Sequence, residues 1–95
     1  MTLSQHAKLR MIQRKITLED IHNCICQGVH STNTDNSIKY YYNHLTVVVN
    51  PETDNIVTVF YKSKYYNKVK SYCNKNNITI DAAFNQIRKG LLNIC

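Results

Sequence analysis

The chain has few of the residues that are typical of linkers and turns: its 95 residues include only two glycines and one proline. Flexible linkers are rich in Gly, Ser or Pro. The composition therefore excludes a string of domains joined by such linkers. The length suits one small domain with one hydrophobic core, and we expect a single domain over residues 1–95.

Long apolar runs are also lacking. No run approaches the roughly 20 residues that span a bilayer, so we expect no membrane partner. The N-terminus does not read as a secretory signal, because cationic side chains fall where its apolar stretch would be needed. These side chains are His6, Lys8, Arg10 and Arg14.

Acidic residues are scarce, with six Asp and Glu against twelve Lys and Arg and a formal net charge of +6. No acid precedes Glu19, and none lies between Asp54 and Asp81. Two basic clusters on so small a body would attract a polyanion, above all nucleic acid. For the second cluster, a run of lysines between residues 62 and 75, an ordinary solvated surface is an equal alternative.

The four cysteines are even in number, but no secretory signal accompanies them, and Cys24 and Cys26 are too close to form a disulfide easily if they share a helix. We therefore expect a reduced, cytosolic environment. His22, Cys24 and Cys26 suggest a metal site by residue type alone. Residues two apart on a helix point in different directions, however. We therefore expect no metal and no other cofactor.

Capping signals predict two N-terminal helices. Ser4 is a suitable N-cap for the first, which we expect to end near Lys15. Thr17 and Asp20 have the spacing of a capping box for the second, and Gly28 follows that helix as a residue of the C′ type.

The middle of the chain predicts strands, and the last third predicts helices. Three segments are rich in β-branched and aromatic residues, and a short fourth strand is expected around residues 29–32. One helix is expected within residues 64–75 and another from Thr79 to about Asn93. The fold class is therefore α+β, with two N-terminal helices on an antiparallel sheet of three to four strands and one or two C-terminal helices. The three strand segments read SIKYYYN, HLTVVVN and IVTVFYK.

One stripe of the first helix carries His6, Arg10 and Arg14. Steps of four residues drift by only about 40° around a helix, so the three side chains lie in one row. Like charges at this spacing cost a few tenths of a kcal/mol per pair. The neighbouring apolar stripe, which begins at Leu3 and Ala7, places the row at the border of the buried face.

The row contains the functional groups that metal-independent RNA cleavage needs. The 2′-hydroxyl must lose a proton before it attacks the adjacent phosphate, and histidine transfers protons near neutral pH. Arginine offers a planar fork of donors to the phosphate. A merely exposed histidine beside two surface arginines is the alternative.

The N-terminal motif resembles that of a small bacterial domain family of uncharacterised function. That family is similar to the RelE/ParE toxin fold and to the barnase-, EndoU-, colicin- and RelE-like ribonuclease toxins. The resemblance covers about residues 3–62, which leaves residues 63–95 as a helical C-terminal extension, and it implies a curved sheet. It rests on the string Ser4-x-His6-Ala7-x-x-Arg10-Met11-x-x-Arg14-x-Ile16, followed by Ile21, Gly28 and the strands LTVVVN and IVTVF.

The resemblance implies a toxin that cleaves RNA, with tRNA or another structured RNA as substrate. It implies action in the bacterial cytoplasm, with delivery inside a larger effector as one route, and a cognate antitoxin or immunity protein as partner. His6, Arg10 and Arg14 match the family motif, and Thr58 matches the threonine of its last strand. A non-catalytic RNA-binding or protein-binding module, such as an inhibitor from a phage or mobile element, is the alternative.

Further candidates for the substrate site come from residue type. Thr58 is either a donor to a phosphate oxygen or an ordinary β-branched strand residue. The tyrosines either stack bases or pack as sheet aromatics, and His44, taken as the first residue of a strand, is a candidate second acid or base. The substrate-binding candidates are Tyr40, Tyr42, His44, Tyr61, Lys62 and Lys64.

Overall fold

The fold is that of a computed structural model, which describes residues 2–94. Two compact units divide the chain, the first ending at Tyr61 and the second beginning at Lys62. The elements are β1 (Thr2–Leu3), α1 (Gln5–Arg14), α2 (Leu18–Gln27), β2 (Val29–Thr32), β3 (Ile38–Tyr42), β4 (Leu45–Asn50), β5 (Asn55–Tyr61), α3 (Ser63–Asn76) and α4 (Ile80–Arg88).

The caps of the two N-terminal helices are those predicted. The Ser4 hydroxyl accepts a hydrogen bond from the Ala7 N–H at 3.0 Å. At the start of α2 the Thr17 hydroxyl accepts from the Asp20 N–H, and the Asp20 carboxylate accepts from the Thr17 N–H. These bonds satisfy N–H groups that a helix start otherwise leaves without partners.

Gly28 ends α2 for a reason that the sequence did not indicate. Its backbone is extended, with φ −77°, so no left-handed conformation requires glycine here. A Cβ atom would lie 2.3 Å from the Cys24 carbonyl oxygen and 2.7 Å from that of Tyr41. Glycine is needed because β3 and the end of α2 approach each other so closely.

The sheet has five strands within residues 2–94, in the order β1-β5-β4-β3-β2. The α+β class is confirmed, but a purely antiparallel sheet of three to four strands is wrong, because β1 pairs with β5 in parallel. The Thr2 N–H donates to the Asp54 carbonyl, and the Ser4 N–H donates to that of Ile56. Strand β1 was not predicted, because two residues are too few to show the alternation of apolar and polar side chains that marks a strand.

A two-residue turn joins β3 to β4. Tyr42 pairs with Leu45, and the residues between them, Asn43 and His44, have φ of 49° and 69°. Positive φ at both positions matches the twist of a tight hairpin. The prediction that His44 begins a strand is therefore wrong.

The first unit has its core between the two helices and one face of the sheet. Val47 of β4 pairs with Val59 of β5, and both are fully buried together with Ala7 of α1. On the other face Thr46 is buried, whereas Val57 and Phe60 are exposed. The buried cluster comprises Ala7, Ile16, Ile21, Cys24, Leu45, Val47, Val49, Ile56 and Val59.

The second unit consists of α3 and α4. Tyr65, Val69 and Cys73 form the buried stripe of α3, and α4 buries Ala83 and Phe84. The prediction that the last helix continues to about Asn93 is wrong. Helix α4 ends at Arg88, and Gly90 follows in the left-handed region with φ 75°, where glycine is favoured.

Candidate functional site

The row of His6, Arg10 and Arg14 lies at the border of the buried face of α1. Ala7 is fully buried. His6 is exposed, whereas Arg10 and Arg14 are half-buried, because each step of four turns the row about 40° towards the buried stripe. Successive side chains are about 6 Å apart along the helix.

The start of α1 is fixed to the sheet by Ser4. Its hydroxyl donates to the Val57 carbonyl at 2.8 Å, and its N–H donates to the Ile56 carbonyl at 3.0 Å. His6 follows two residues later. The imidazole thus projects from an anchored first turn near the start of β5.

Positive charge dominates α1, because no Asp or Glu belongs to it. The Arg10 guanidinium donates from Nη1 to the Gln13 side-chain oxygen at 3.2 Å. That neutral partner can hold the guanidinium without cancelling its charge. Arg10 can therefore present its charge to an anion.

The Thr58 side chain is not brought to this row. Thr58 pairs with Val48, while Val47 and Val59 beside them point into the core under α1. Neighbouring residues of a strand point to opposite faces. Thr58 is thus half-buried on the face of the sheet away from α1.

His44 also lies apart from His6. Its neighbour Leu45 pairs with Tyr61 at the end of β5, whereas Ser4 bonds to Ile56 near the start of that strand. At about 3.3 Å per residue these positions are on the order of 15 Å apart. No second histidine therefore joins His6 from the β3–β4 turn.

The three candidate tyrosines lie on the helix-covered face, half-buried against the core. The Tyr42 hydroxyl donates to the Gln27 side-chain oxygen at 3.0 Å. The Tyr40 ring contacts that of His30, with centroids 5.9 Å apart. These contacts give the rings of Tyr40 and Tyr42 a packing role. Tyr61 has a packing role too, because it also borders the core.

The two candidate lysines belong to the second unit. Lys62 precedes α3 at its N-cap position without a side-chain capping bond, and Lys64 lies in the first turn of α3. Both are exposed. They extend the basic surface of that unit.

One pair of exposed side chains in contact was not predicted from the sequence. The Cys26 Sγ atom is 3.6 Å from Nε2 of His22, one turn earlier on α2. The sequence signal for this pair is its spacing of four residues, which brings two side chains together on one face of a helix. Across residues 2–94, no three His, Cys, Asp or Glu side chains are grouped as a metal site would require.

No helix within residues 2–94 has the length and apolar character needed to cross a membrane.

A family model described as a domain of unknown function (DUF4258) matches residues 3–76, a range that runs from β1 through the whole of α3. Neither the curated proteins nor the solved structures contain a match to the chain.

Proposed function

The chain belongs to the DUF4258 domain family, and we propose that it is a metal-independent endoribonuclease that cleaves tRNA or other cellular RNA. One observation carries the proposal: an exposed histidine and two half-buried arginines form a row on an acid-free helix anchored to the sheet. No catalytic metal is needed if these three side chains supply both proton transfer and positive charge.

His6 accepts the proton of a 2′-hydroxyl, whose oxygen then attacks the adjacent phosphorus. The bond to the 5′-oxygen breaks, and water at this exposed position protonates the leaving oxygen. Arg10 and Arg14 donate hydrogen bonds to the phosphate oxygens as negative charge builds up. The products are a 2′,3′-cyclic phosphate and a 5′-hydroxyl.

A toxin of the RelE/ParE type is the biological setting that we propose. The motif around His6 and the order of two helices followed by antiparallel strands support this likeness. The site of action would be the bacterial cytoplasm, reached directly or as part of a larger effector. An acidic antitoxin or immunity protein that covers α1 would be the natural partner, because the helix carries only positive charge.

Cleavage of labelled tRNA and mRNA in EDTA tests the proposal. We expect His6→Gln to reduce the rate by about 100-fold or more, the range of general acid–base catalysis. His22→Gln, the same change at an exposed position of α2, should leave the rate unchanged. Full activity of His6→Gln, or loss of activity in EDTA, would refute the mechanism.

A non-catalytic RNA-binding or protein-binding module is the second candidate. It is favoured by the separation of Thr58 and His44 from His6, which leaves the row with one proton-transfer group. In that case Arg10→Ala and Arg14→Ala would weaken RNA binding, His6→Gln would not, and no RNA would be cleaved. Growth arrest of bacteria that express the parent chain but not His6→Gln would count against this candidate.

A further inference from the structure

The outer side of α2 carries a thiol and an imidazole in contact. Cys26 Sγ lies 3.6 Å from Nε2 and 3.9 Å from Nδ1 of His22. Both side chains are exposed. The ring nitrogen that carries no proton can thus accept the thiol proton, and a dissolved reagent can reach the sulfur.

The other described cysteines are in a different situation. Cys24 is fully buried, and its thiol donates to the carbonyls of Tyr40 and Leu45 at 3.5 and 3.6 Å. Cys73 is buried, and its thiol donates to the Thr79 carbonyl. Among the cysteines of residues 2–94, Cys26 is therefore the exposed one.

We propose that His22 and Cys26 form a reactive-thiol site that takes up low-molecular-weight disulfides such as oxidised glutathione. The Cys26 proton passes to the His22 ring, and the thiolate attacks one sulfur of the disulfide. A bond forms between Cys26 and that sulfur, and the other half leaves as a thiolate that takes up a proton. Cys26 is oxidised to a mixed disulfide while the reagent is reduced to one thiol.

The position on α2 makes His22 essential to this reactivity. Cys26 lies near the helix C-terminus, whose partial negative charge disfavours a thiolate. The last turn contains no basic residue that would offset this effect.

The test measures the reaction of the full chain with a chromogenic aromatic disulfide and with oxidised glutathione between pH 6 and 9. Every variant carries Cys95→Ser, because Cys95 lies outside the described residues. We expect one thiol to react rapidly and Cys26→Ser to abolish that phase. At pH 7, His22→Gln should slow the phase on the order of five- to tenfold, because the proton acceptor beside the thiol is lost.

His30→Gln is the matched control, because His30 is exposed but lies on β2, and its reaction rate should equal that of the parent. Peptide mass spectrometry should locate one glutathione on Cys26. A rapid phase that survives Cys26→Ser, or a His22→Gln variant that reacts at the parent rate, would overturn the proposal. Because His22 and Cys26 are exposed, their replacement should leave the fold intact. Circular dichroism of His22→Gln, and of His22→Asn as a second replacement of the imidazole, verifies that folding is unchanged.

Discussion

At the residue scale, Gly28 shows how a single missing atom permits a close contact. Its Cβ would collide with two backbone oxygens, which cannot move away as a flexible side chain can. We expect Gly28→Ala to lower the free energy of unfolding by about 2–3 kcal/mol, as overpacking does. Urea denaturation measures the change.

The control is Gly90→Ala, where a Cβ meets nothing within 4 Å. Only the cost of a positive φ applies there, about 1–2 kcal/mol at most. Equal stability of Gly28→Ala and the parent would show that the close approach does not exist.

The buried thiol of Cys24 should make stability depend on alkaline pH. Burial raises the pKa of Cys24 from 9.0 to about 11. Between these values the unfolded chain loses the thiol proton while the folded chain keeps it, so the free energy of unfolding falls as pH rises. We expect a loss of about 1–2 kcal/mol between pH 9 and 11.

Chemical denaturation at pH 9 and at pH 11 measures this loss. Cys24→Ala keeps every other titratable side chain but lacks this thiol. Its stability should fall less over the same interval, and an equal fall would contradict the prediction.

At the element scale, the β3–β4 turn uses a residue poorly suited to it. His44 has φ 69°, a region that glycine occupies without steric cost. Asn-Gly is the preferred sequence at the two central positions of such a turn. We expect His44→Gly to raise the free energy of unfolding by about 0.5–1 kcal/mol.

Thermal and urea denaturation test this substitution against His30→Gly, which places glycine within β2 and should destabilise the chain. A destabilised His44→Gly would show that contacts of the imidazole outweigh the backbone strain.

The sequence predicted those elements whose signals are local. Ser4, Thr17 and Asp20 reveal two helix starts because capping depends on residues within one turn. The pairing of Thr2 with Asn55 could not be predicted, because nothing in two residues marks a strand and the partner is distant along the chain. The site is predictable to the same extent. Helix spacing, a local signal, predicts the row that begins at His6, but the face of the sheet on which Thr58 lies depends on strand register.

At the scale of the whole molecule, the net charge of +6 should govern RNA binding. Contacts with about three phosphates give a slope near −2 for the logarithm of the association constant against that of salt. From 50 to 200 mM salt, affinity should then fall by about 20-fold. Filter binding or fluorescence anisotropy measures the slope.

Replacement of Arg14 by alanine should make this slope less negative by about 0.7, the share of one phosphate contact on a single strand. Lys89→Ala removes one charge in the turn after α4 and serves as the matched control. A slope that does not change in Arg14→Ala would exclude Arg14 from the RNA interface.

The parallel pairing of β1 with β5 also sets an order of events during translation. Leu3 is synthesised 53 residues before its partner Ile56. Contacts between such distant residues form late. Ser4 therefore finds Val57, and α1 gains its anchor, only when the strands of the first unit are complete. An unfinished chain, still surrounded by ribosomal RNA, has not yet anchored the helix that carries His6.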